Sequence, residues 1–150
     1  MNFPETIPVA RMEDYHTHYV GNLTDGRQFW GYETFVFDAP YHEIRTEWEK
    51  HRLEYIVLHL FDAAGRHLET RHLFEGTTDQ TKGQSNEELV EDWLDEMGEF
   101  EYQDIRIAPF LTIIDGITFG LIPDEDTKTI NLQPSSTISF SEPWDGEYNT

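Results

Sequence analysis

Two histidines separated by one residue, His16 and His18, have the type and spacing of metal ligands. Imidazole nitrogens commonly bind zinc and other transition metals. The flanking residues predict a strand, in which side chains two apart point to the same face. The sequence shows no third ligand at a diagnostic spacing; His59 and His72, in other predicted strands, are the histidines that we nominate, and the hypothesis uses His59. One hypothesis is therefore a metal- or small-ligand-binding sheet protein, with or without enzymatic activity, in which these histidines converge. The alternative is that they are solvated or hydrogen-bonded sheet residues.

The acidic triplet Asp124, Glu125 and Asp126 has the spacing that opens a calcium-binding loop. An EF-hand starting at Asp124 requires glycine at position 129 and a bidentate acid at position 135. Thr129 and Ser135 stand there instead. The triplet therefore predicts a solvated turn.

The sequence lacks the motifs that identify several classes of enzyme. It has no cysteine, no Gly-x-Ser-x-Gly elbow and no Gly-rich loop ending in Gly-Lys for phosphate. A catalytic pair of carboxylates cannot be recognised among 30 Asp and Glu residues, because spatial separation and burial define such a pair. We therefore expect a protein that is not an enzyme and that needs no cofactor.

The segment 85–98 has the markers of an amphipathic helix. Ser85 is the predicted N-cap, Glu88 completes a capping box, and Gly98 occupies the position of a left-handed C′ residue. The apolar residues form one stripe at a period of 3.6: Leu89, Val90, Trp93, Leu94 and Met97. The polar face is acidic and comprises Glu87, Glu88, Glu91, Asp92, Asp95 and Glu96.

This acidic face is the main candidate for a binding surface. No Lys or Arg occurs between Gly83 and Ile105, whereas an ordinary solvated helix face mixes both signs. Like charges four residues apart destabilise a helix by about 0.2 to 0.5 kcal/mol per pair. Two interpretations follow: a face that keeps the protein soluble, or a face that docks a basic protein partner.

Charge and composition restrict the class of protein. The chain has 10 Lys and Arg against 30 Asp and Glu, a net charge of -20, and a mean hydropathy of -0.62. Residues 1–75 carry 13 acids and 7 bases, and residues 76–150 carry 17 acids and 3 bases. Its aromatic content of 14% is too high for a disordered acidic chain. We expect one folded domain over residues 1–150, cytoplasmic, binding neither nucleic acid nor membranes directly.

Turn signals between apolar runs predict the sheet. Asp25-Gly26 separates the runs 15–23 and 27–37, and Gly65 ends the turn between runs 53–62 and 66–74. Residues 41–52 predict a short helix containing Trp48, and Pro109 predicts a bend or a sheet edge. Further strands are predicted over 101–110, 111–114, 117–122, 129–132 and 137–140. The fold class is α+β, an antiparallel sheet of hairpins with one main amphipathic helix packed on one face.

Two large aromatic residues, Trp144 and Tyr148, flank the Asp145-Gly146 turn near the end of the chain. One interpretation is a structural latch that pins the tail across the core. The other is an exposed binding epitope, which adds Trp144 and Tyr148 to the candidate partner-binding residues.

The sequence resembles a group of small bacterial proteins often labelled formate hydrogenlyase regulatory protein. The resemblance spans nearly the whole chain, in IPVA (7–10), DY (14–15), DGRQF (25–29), YIVLHLFDAAGRH (55–67), DIRIAPF (104–110), DGITFGL (115–121) and PWDGEYNT (143–150). It implies a single-domain protein of the bacterial cytoplasm. The label implies transcriptional control, which an acidic chain would exert through a protein rather than by touching DNA.

Two kinds of binding protein are consistent with this sequence. One is an immunity-type protein or inhibitor that neutralises a cationic toxin by rapid electrostatic capture. The other is a regulator, as the label implies.

Overall fold

The computed structural model describes residues 3–12, 16–135 and 138–150. Its strands are β1 (Ile7–Val9), β2 (Tyr19–Leu23), β3 (Gln28–Phe37), β4 (Arg52–Phe61), β5 (His67–Thr77), β6 (Phe100–Tyr102), β7 (Ile105–Ile107), β8 (Phe110–Ile114), β9 (Ile117–Asp124), β10 (Thr129–Gln133) and β11 (Ser139–Phe140). Its helices are α1 (Tyr41–Ile44), α2 (Trp48–His51), α3 (Thr78–Thr81) and α4 (Leu89–Met97), with a 3₁₀ turn at Arg45–Glu47.

The largest sheet has five antiparallel strands in the order β5-β4-β3-β2-β6. Both predicted hairpins are confirmed within it, β2 with β3 and β4 with β5. Gly26 and Gly65 occupy their turns with φ of 96° and 93°, a conformation that glycine adopts without a steric penalty. The residue types at the two turns were therefore sufficient to predict that β2 pairs with β3 and β4 with β5.

The main core lies between this sheet and a second, four-stranded sheet in the order β11-β10-β9-β8. The two-stranded ribbon of β1 and β7 closes one side. The buried side chain of Gln28 links β3 of the large sheet to β7 of the ribbon. It donates to the carbonyls of Asp62 and Arg106 and accepts a bond from the Arg106 N–H. The largest fully buried core side chains include Trp30, Tyr32, Phe61, Phe119 and Phe140.

Helix α4 covers part of the other face of the five-stranded sheet. Its Val90 and Leu94 are fully buried and pack in a second cluster with residues of β3 and β4. Gly31 in β3 permits this approach, since a Cβ built there would lie 2.5 Å from Val90 Cγ1. The absence of a side chain at position 31 therefore determines how closely the helix packs.

The predicted start of this helix is wrong. Helix α4 has nine residues and begins at Leu89, with Glu88 as its N-cap and no side-chain capping bond. The Ser85 hydroxyl donates to Glu33 Oε1 and accepts a bond from the Glu87 N–H, which precedes the first helical residue. The helix ends before Gly98, as predicted, but Gly98 is its C-cap with φ of 120° and ψ of -157°, so the predicted left-handed C′ conformation is wrong.

The remaining elements confirm the α+β class with antiparallel sheets. Region 41–52 forms two short helices around a 3₁₀ turn, and Trp48 begins the second. Pro109 separates β7 from β8, which agrees with the prediction of a bend there, since proline has no N–H to donate within a sheet. Residues 15 and 137, which begin two predicted strands, lie outside the described residues. Among the helices described, none has the length and apolar character needed to cross a bilayer.

Candidate functional site

Three glutamates from adjacent strands meet beside the end of α3. Glu33 of β3, Glu54 of β4 and Glu75 of β5 line one cavity of about 330 Å³ with Arg52 and Thr78. The loop after α3, which includes Ser85, forms its opposite wall. We call this space the carboxyl cleft.

A β-bulge directs Glu75 into the cleft. Glu54 lies opposite Gly76, whereas the next residue of β4, Tyr55, lies opposite Phe74. Glu75 is therefore the extra residue of β5, and a bulge turns such a side chain away from the regular alternation of the strand.

Two of the three carboxylates are held by donors. Glu33 accepts a bond from the Ser85 hydroxyl, and the Asn86 N–H lies 3.5 Å from its Oε2. Glu54 Oε1 accepts a 3.0 Å bond from the Thr78 hydroxyl. Both side chains are therefore tied to the segment that walls the cleft.

Arg52 balances one of these charges. Its Nε lies 3.0 Å from Glu54 Oε1, at ion-pair distance. Its guanidinium carbon lies 3.7 Å from the centroid of the Phe35 ring, which is a cation–π contact. Arg52 therefore lines the cleft beside Glu54, and within the described ranges no ion pair joins a cation to Glu33 or Glu75.

One oxygen of Glu75 has no donor among the described residues. Its Oε1 is buried and accepts no hydrogen bond from any donor in the described ranges. Burial, followed by the adjacent carboxyl of Glu33 and the charge of Glu54, raises the pKa of Glu75 to about 8. The Glu33–Glu75 pair therefore holds a proton to a higher pH than an isolated carboxyl group does.

The sequence reasoning missed this cleft. Glu33, Glu54 and Glu75 are far apart in the chain, and only the register of three strands joins them. A signal was nevertheless present, because Glu33 and Glu54 each interrupt a strand that is otherwise largely apolar or aromatic. Charges within such strands require partners, and those partners indicate a site.

The three candidate histidines have separate environments. His16 and His18 precede β2 in a turn, so their predicted place in a strand is wrong. The His16 ring contacts Tyr148, whereas His18 contacts Tyr19 and Tyr102 and lies 3.2 Å from an Arg11 nitrogen. No group of three potential ligand side chains suited to a metal ion occurs among the residues described.

His59 belongs to a buried polar chain between the sheets. The Tyr32 hydroxyl lies 2.8 Å from His59 Nε2, and the Thr70 hydroxyl lies 2.7 Å from Nδ1. The same Thr70 oxygen lies 2.7 Å from His67 Nε2. Burial, with a smaller effect from His67, lowers the pKa of His59 to about 3. Its ring is therefore neutral and both nitrogens have partners.

The acidic residues of α4 lie on the outer surface. Glu88, Glu91, Asp92, Asp95 and Glu96 are exposed, and Glu87 is half-buried. The Tyr102 hydroxyl donates to Glu91, and Arg71 of β5 forms a 2.8 Å ion pair with Glu96. Within residues 3–12, 16–135 and 138–150, the side chains of Glu88, Asp92 and Asp95 have no hydrogen-bond or ion-pair partner.

The two tail aromatics pack against the main core. The Trp144 ring meets Phe3 edge to face, and the Tyr148 ring meets Phe140. The Tyr148 hydroxyl lies 3.1 Å from the hydroxyl of buried Thr17. These contacts favour the latch interpretation over the epitope.

The acidic triplet forms the turn between β9 and β10. Asp124 Oδ1 accepts bonds from the N–H groups of Asp126 and Thr127. Glu125 and Asp126 are exposed. The carboxylate of Asp124 therefore stabilises the local backbone, as the predicted turn requires.

Comparison of the chain with protein-family models, with curated proteins and with solved structures finds no significant match.

Proposed function

We propose that the protein binds a basic protein partner through the acidic face of α4. The single observation that carries the proposal is the set of exposed carboxylates of Glu88, Asp92 and Asp95, which have no partner in the part of the chain that the structure describes. They lie in a stretch, residues 84–104, that contains no Lys or Arg. A patch of one sign attracts a patch of the opposite sign and raises the rate of encounter.

The helix retains these charges at some expense of its own stability. Glu88 and Asp92, and likewise Asp92 and Glu96, are four residues apart and repel each other by about 0.2 to 0.5 kcal/mol per pair. Asp95 and Glu96 lie at the negative end of the helix dipole, which disfavours them. A cationic partner would relieve both effects.

The rest of the helix is suited to presenting this face. Val90 and Leu94 anchor α4 on the sheet, while Arg71 and Tyr102 hold Glu96 and Glu91 at its edges. The partner would therefore meet a surface whose backbone is already ordered, which reduces the entropy lost on binding.

Two biological roles fit this surface. In one, the protein is an immunity-type protein or inhibitor for a cationic toxin; in the other, it is a regulator acting through a protein. A neighbouring gene for a basic toxin domain would favour the first role, and its consistent absence would favour the second.

Affinity capture from the organism that encodes the protein tests the proposal. The bait variant carries Glu88→Lys, Asp92→Lys and Asp95→Lys. A control carries the same charge change at other exposed acids, Glu49→Lys, Glu125→Lys and Asp126→Lys. Circular dichroism verifies that both variants fold.

Mass spectrometry then identifies the captured proteins. We expect a basic protein to be captured by the wild type and by the control but not by the helix variant. Equal capture by all three baits would contradict the proposal.

A further inference from the structure

We propose that two copies of this protein pair through the edge strand β8, so that their four-stranded sheets join into one continuous sheet. Strand β8 (Phe110–Ile114) is the last strand of its sheet, with β9 on one side and no described strand on the other. The inference is independent of the acidic face of α4, because that helix packs on the five-stranded sheet.

The hairpin of β8 and β9 determines which backbone groups of β8 point outwards. A two-residue turn at positions 115 and 116, with φ of 54° and 79°, closes on a hydrogen-bonded pair, here Ile114 and Ile117. Bonded and non-bonded pairs alternate along an antiparallel ladder, so the N–H and C=O groups of Leu111 and Ile113 point away from β9. Within the described ranges, neither residue forms a backbone hydrogen bond with a turn or a loop. Each therefore offers one donor and one acceptor at the free edge.

The sequence of β8 is complementary to itself in the antiparallel direction. With a two-fold axis at Thr112, Leu111 of one copy lies opposite Ile113 of the other, and each such pair exchanges both of its N–H···O bonds. The side chains of Leu111 and Ile113 are 57% and 58% exposed, more than any other large apolar residue described as exposed. Pairing would cover these side chains with one another, and the removal of apolar surface from water favours association.

The distribution of charge favours self-association at this edge. The net charge of -20 makes two copies repel each other where their acidic surfaces meet. Residues 107–123 nevertheless contain a single charged residue, Asp115, in a chain of which 27% is charged. In the two-fold register Asp115 lies opposite Pro109 rather than opposite another acid. A second copy can therefore approach β8 without bringing like charges together.

The other edges of the two large sheets are poorly suited to pairing. Strands β6 and β11 have only three and two residues. Strand β5 is long, but it carries Glu69, Arg71 and Glu75 and has two register irregularities, and charges and bulges are the means by which proteins block edge pairing. The five residues of β8 include no charge and no register shift. A two-fold contact uses the free edge of both copies, so it gives a closed dimer rather than a fibre.

Sedimentation equilibrium of the intact protein tests the inference. A five-residue edge makes a small interface, so we expect a weak dimer with a Kd on the order of 10 to 100 µM. The average mass should rise from 17.7 kDa towards twice that value as the concentration increases from about 1 µM to about 1 mM. Added salt should strengthen the dimer, because it screens the repulsion between two acidic copies. Salt has the opposite effect on the docking of a basic partner to α4, so the two proposals are distinguishable.

A double variant locates the interface. Leu111→Lys with Ile113→Lys places lysines of the two copies directly opposite each other and should weaken the dimer at least about tenfold. It also reduces the net negative charge, so the loss cannot come from greater repulsion between whole molecules. The control, Leu68→Lys with Leu73→Lys, makes the same charge change at exposed apolar positions of β5 and should dimerise as the wild type does. Circular dichroism verifies that both variants fold.

Disulfide formation locates the two-fold axis, because the chain has no cysteine of its own. Thr112→Cys places the two sulfur-bearing residues in a non-bonded pair with Cα atoms about 4.5 Å apart, which a disulfide can bridge. Leu111→Cys places them on a diagonal about 7 to 8 Å apart, which is too far. On mild oxidation we expect a covalent dimer of Thr112→Cys and none of Leu111→Cys.

Three outcomes would overturn the inference. They are a monomeric wild type up to about 1 mM, wild-type affinity in the variant with lysine at positions 111 and 113, and cross-linking of Leu111→Cys ahead of Thr112→Cys. A monomer whose β8 edge instead binds a strand of another protein would give the first of these results. None of the measurements involves a basic partner, so their failure would leave the proposed function of α4 unaffected.

Discussion

The side chain of Val90 in α4 occupies the space where a side chain at Gly31 in β3 would begin. A Cβ at position 31 would lie 2.5 Å from Val90 Cγ1 and 3.3 Å from Leu58 Cδ1. Valine is stiff about χ1, so it cannot simply rotate out of the way. The acidic helix is therefore held on the sheet by a close contact that only glycine permits.

Gly31→Ala should destabilise the protein by about 1 to 3 kcal/mol, because the added methyl group overpacks the contact with Val90. Urea denaturation measures the change. In the double variant with Val90→Ala, space becomes available and part of the loss should be recovered. If the two single-variant losses simply add in the double variant, the contact has no such role.

Tyr148→Ala should destabilise the protein by about 2 kcal/mol or more, because its ring packs on Phe140 and its hydroxyl meets Thr17. Tyr148→Phe removes only the hydroxyl and should cost about 1 kcal/mol. Thermal and urea denaturation measure both. Unchanged stability of Tyr148→Ala together with lost partner capture would instead identify the tail as an epitope.

His59 should make the protein less stable as the pH falls below about 6.5. The folded pKa of about 3 lies below the ordinary value of 6.5, so the unfolded chain takes up a proton that the folded chain excludes. The free energy of unfolding then falls by about 1.4 kcal/mol per pH unit between these values.

Urea denaturation across this range measures the slope for the wild type and for His59→Gln, which carries no charge at any pH. The variant should show a shallower slope. His72→Gln, at an exposed position of β5, is the control and should keep the wild-type slope. An identical slope in His59→Gln would contradict the role assigned to burial.

The titration of Glu75 should lower the stability of the protein as the pH rises, whereas the titration of His59 lowers it as the pH falls. Its folded pKa of about 8 lies above the ordinary value of 4.5, so the folded chain binds the proton more tightly than the unfolded chain does. The stabilisation is complete below pH 4.5 and is lost as the pH rises towards 8.

The interval from pH 6.5 to 8 separates Glu75 from His59. Glu75→Gln should lose the decline in stability over this interval, and at pH 8 it should be more stable than the wild type. Glu69→Gln is the control for removing one charge. A decline that persists unchanged in Glu75→Gln would show that its carboxyl is not the group that titrates.

The hairpins could be predicted because their signals are local. Asp25-Gly26 and Gly65 require a particular backbone conformation whatever surrounds them, and the structure places turns there. The start of α4 could not be predicted in this way. The Ser85 hydroxyl donates to Glu33, 52 positions away, while its oxygen accepts from the Glu87 N–H, so its capping bond lies in the turn before α4 rather than within the helix.

The carboxyl cleft depends even more on long-range structure. Its formation requires the pairing of β3 with β4 across the intervening residues 38–51 and the bulge at Glu75, and the two predicted hairpin turns specify neither of them. The acidic face of α4 was easier to find because helical periodicity alone places its residues together. Periodicity does not show which of these acids have partners, such as Arg71 for Glu96.

The most direct test of the proposed function is the association rate between the protein and its captured basic partner, measured by stopped flow over a range of salt concentrations. For the wild type and for the control with Lys at positions 49, 125 and 126, we expect a fast rate that falls steeply with salt. The variant with Lys at positions 88, 92 and 95 should associate at least about tenfold more slowly at low salt. An association rate and salt dependence identical to those of the wild type would contradict a docking role for α4.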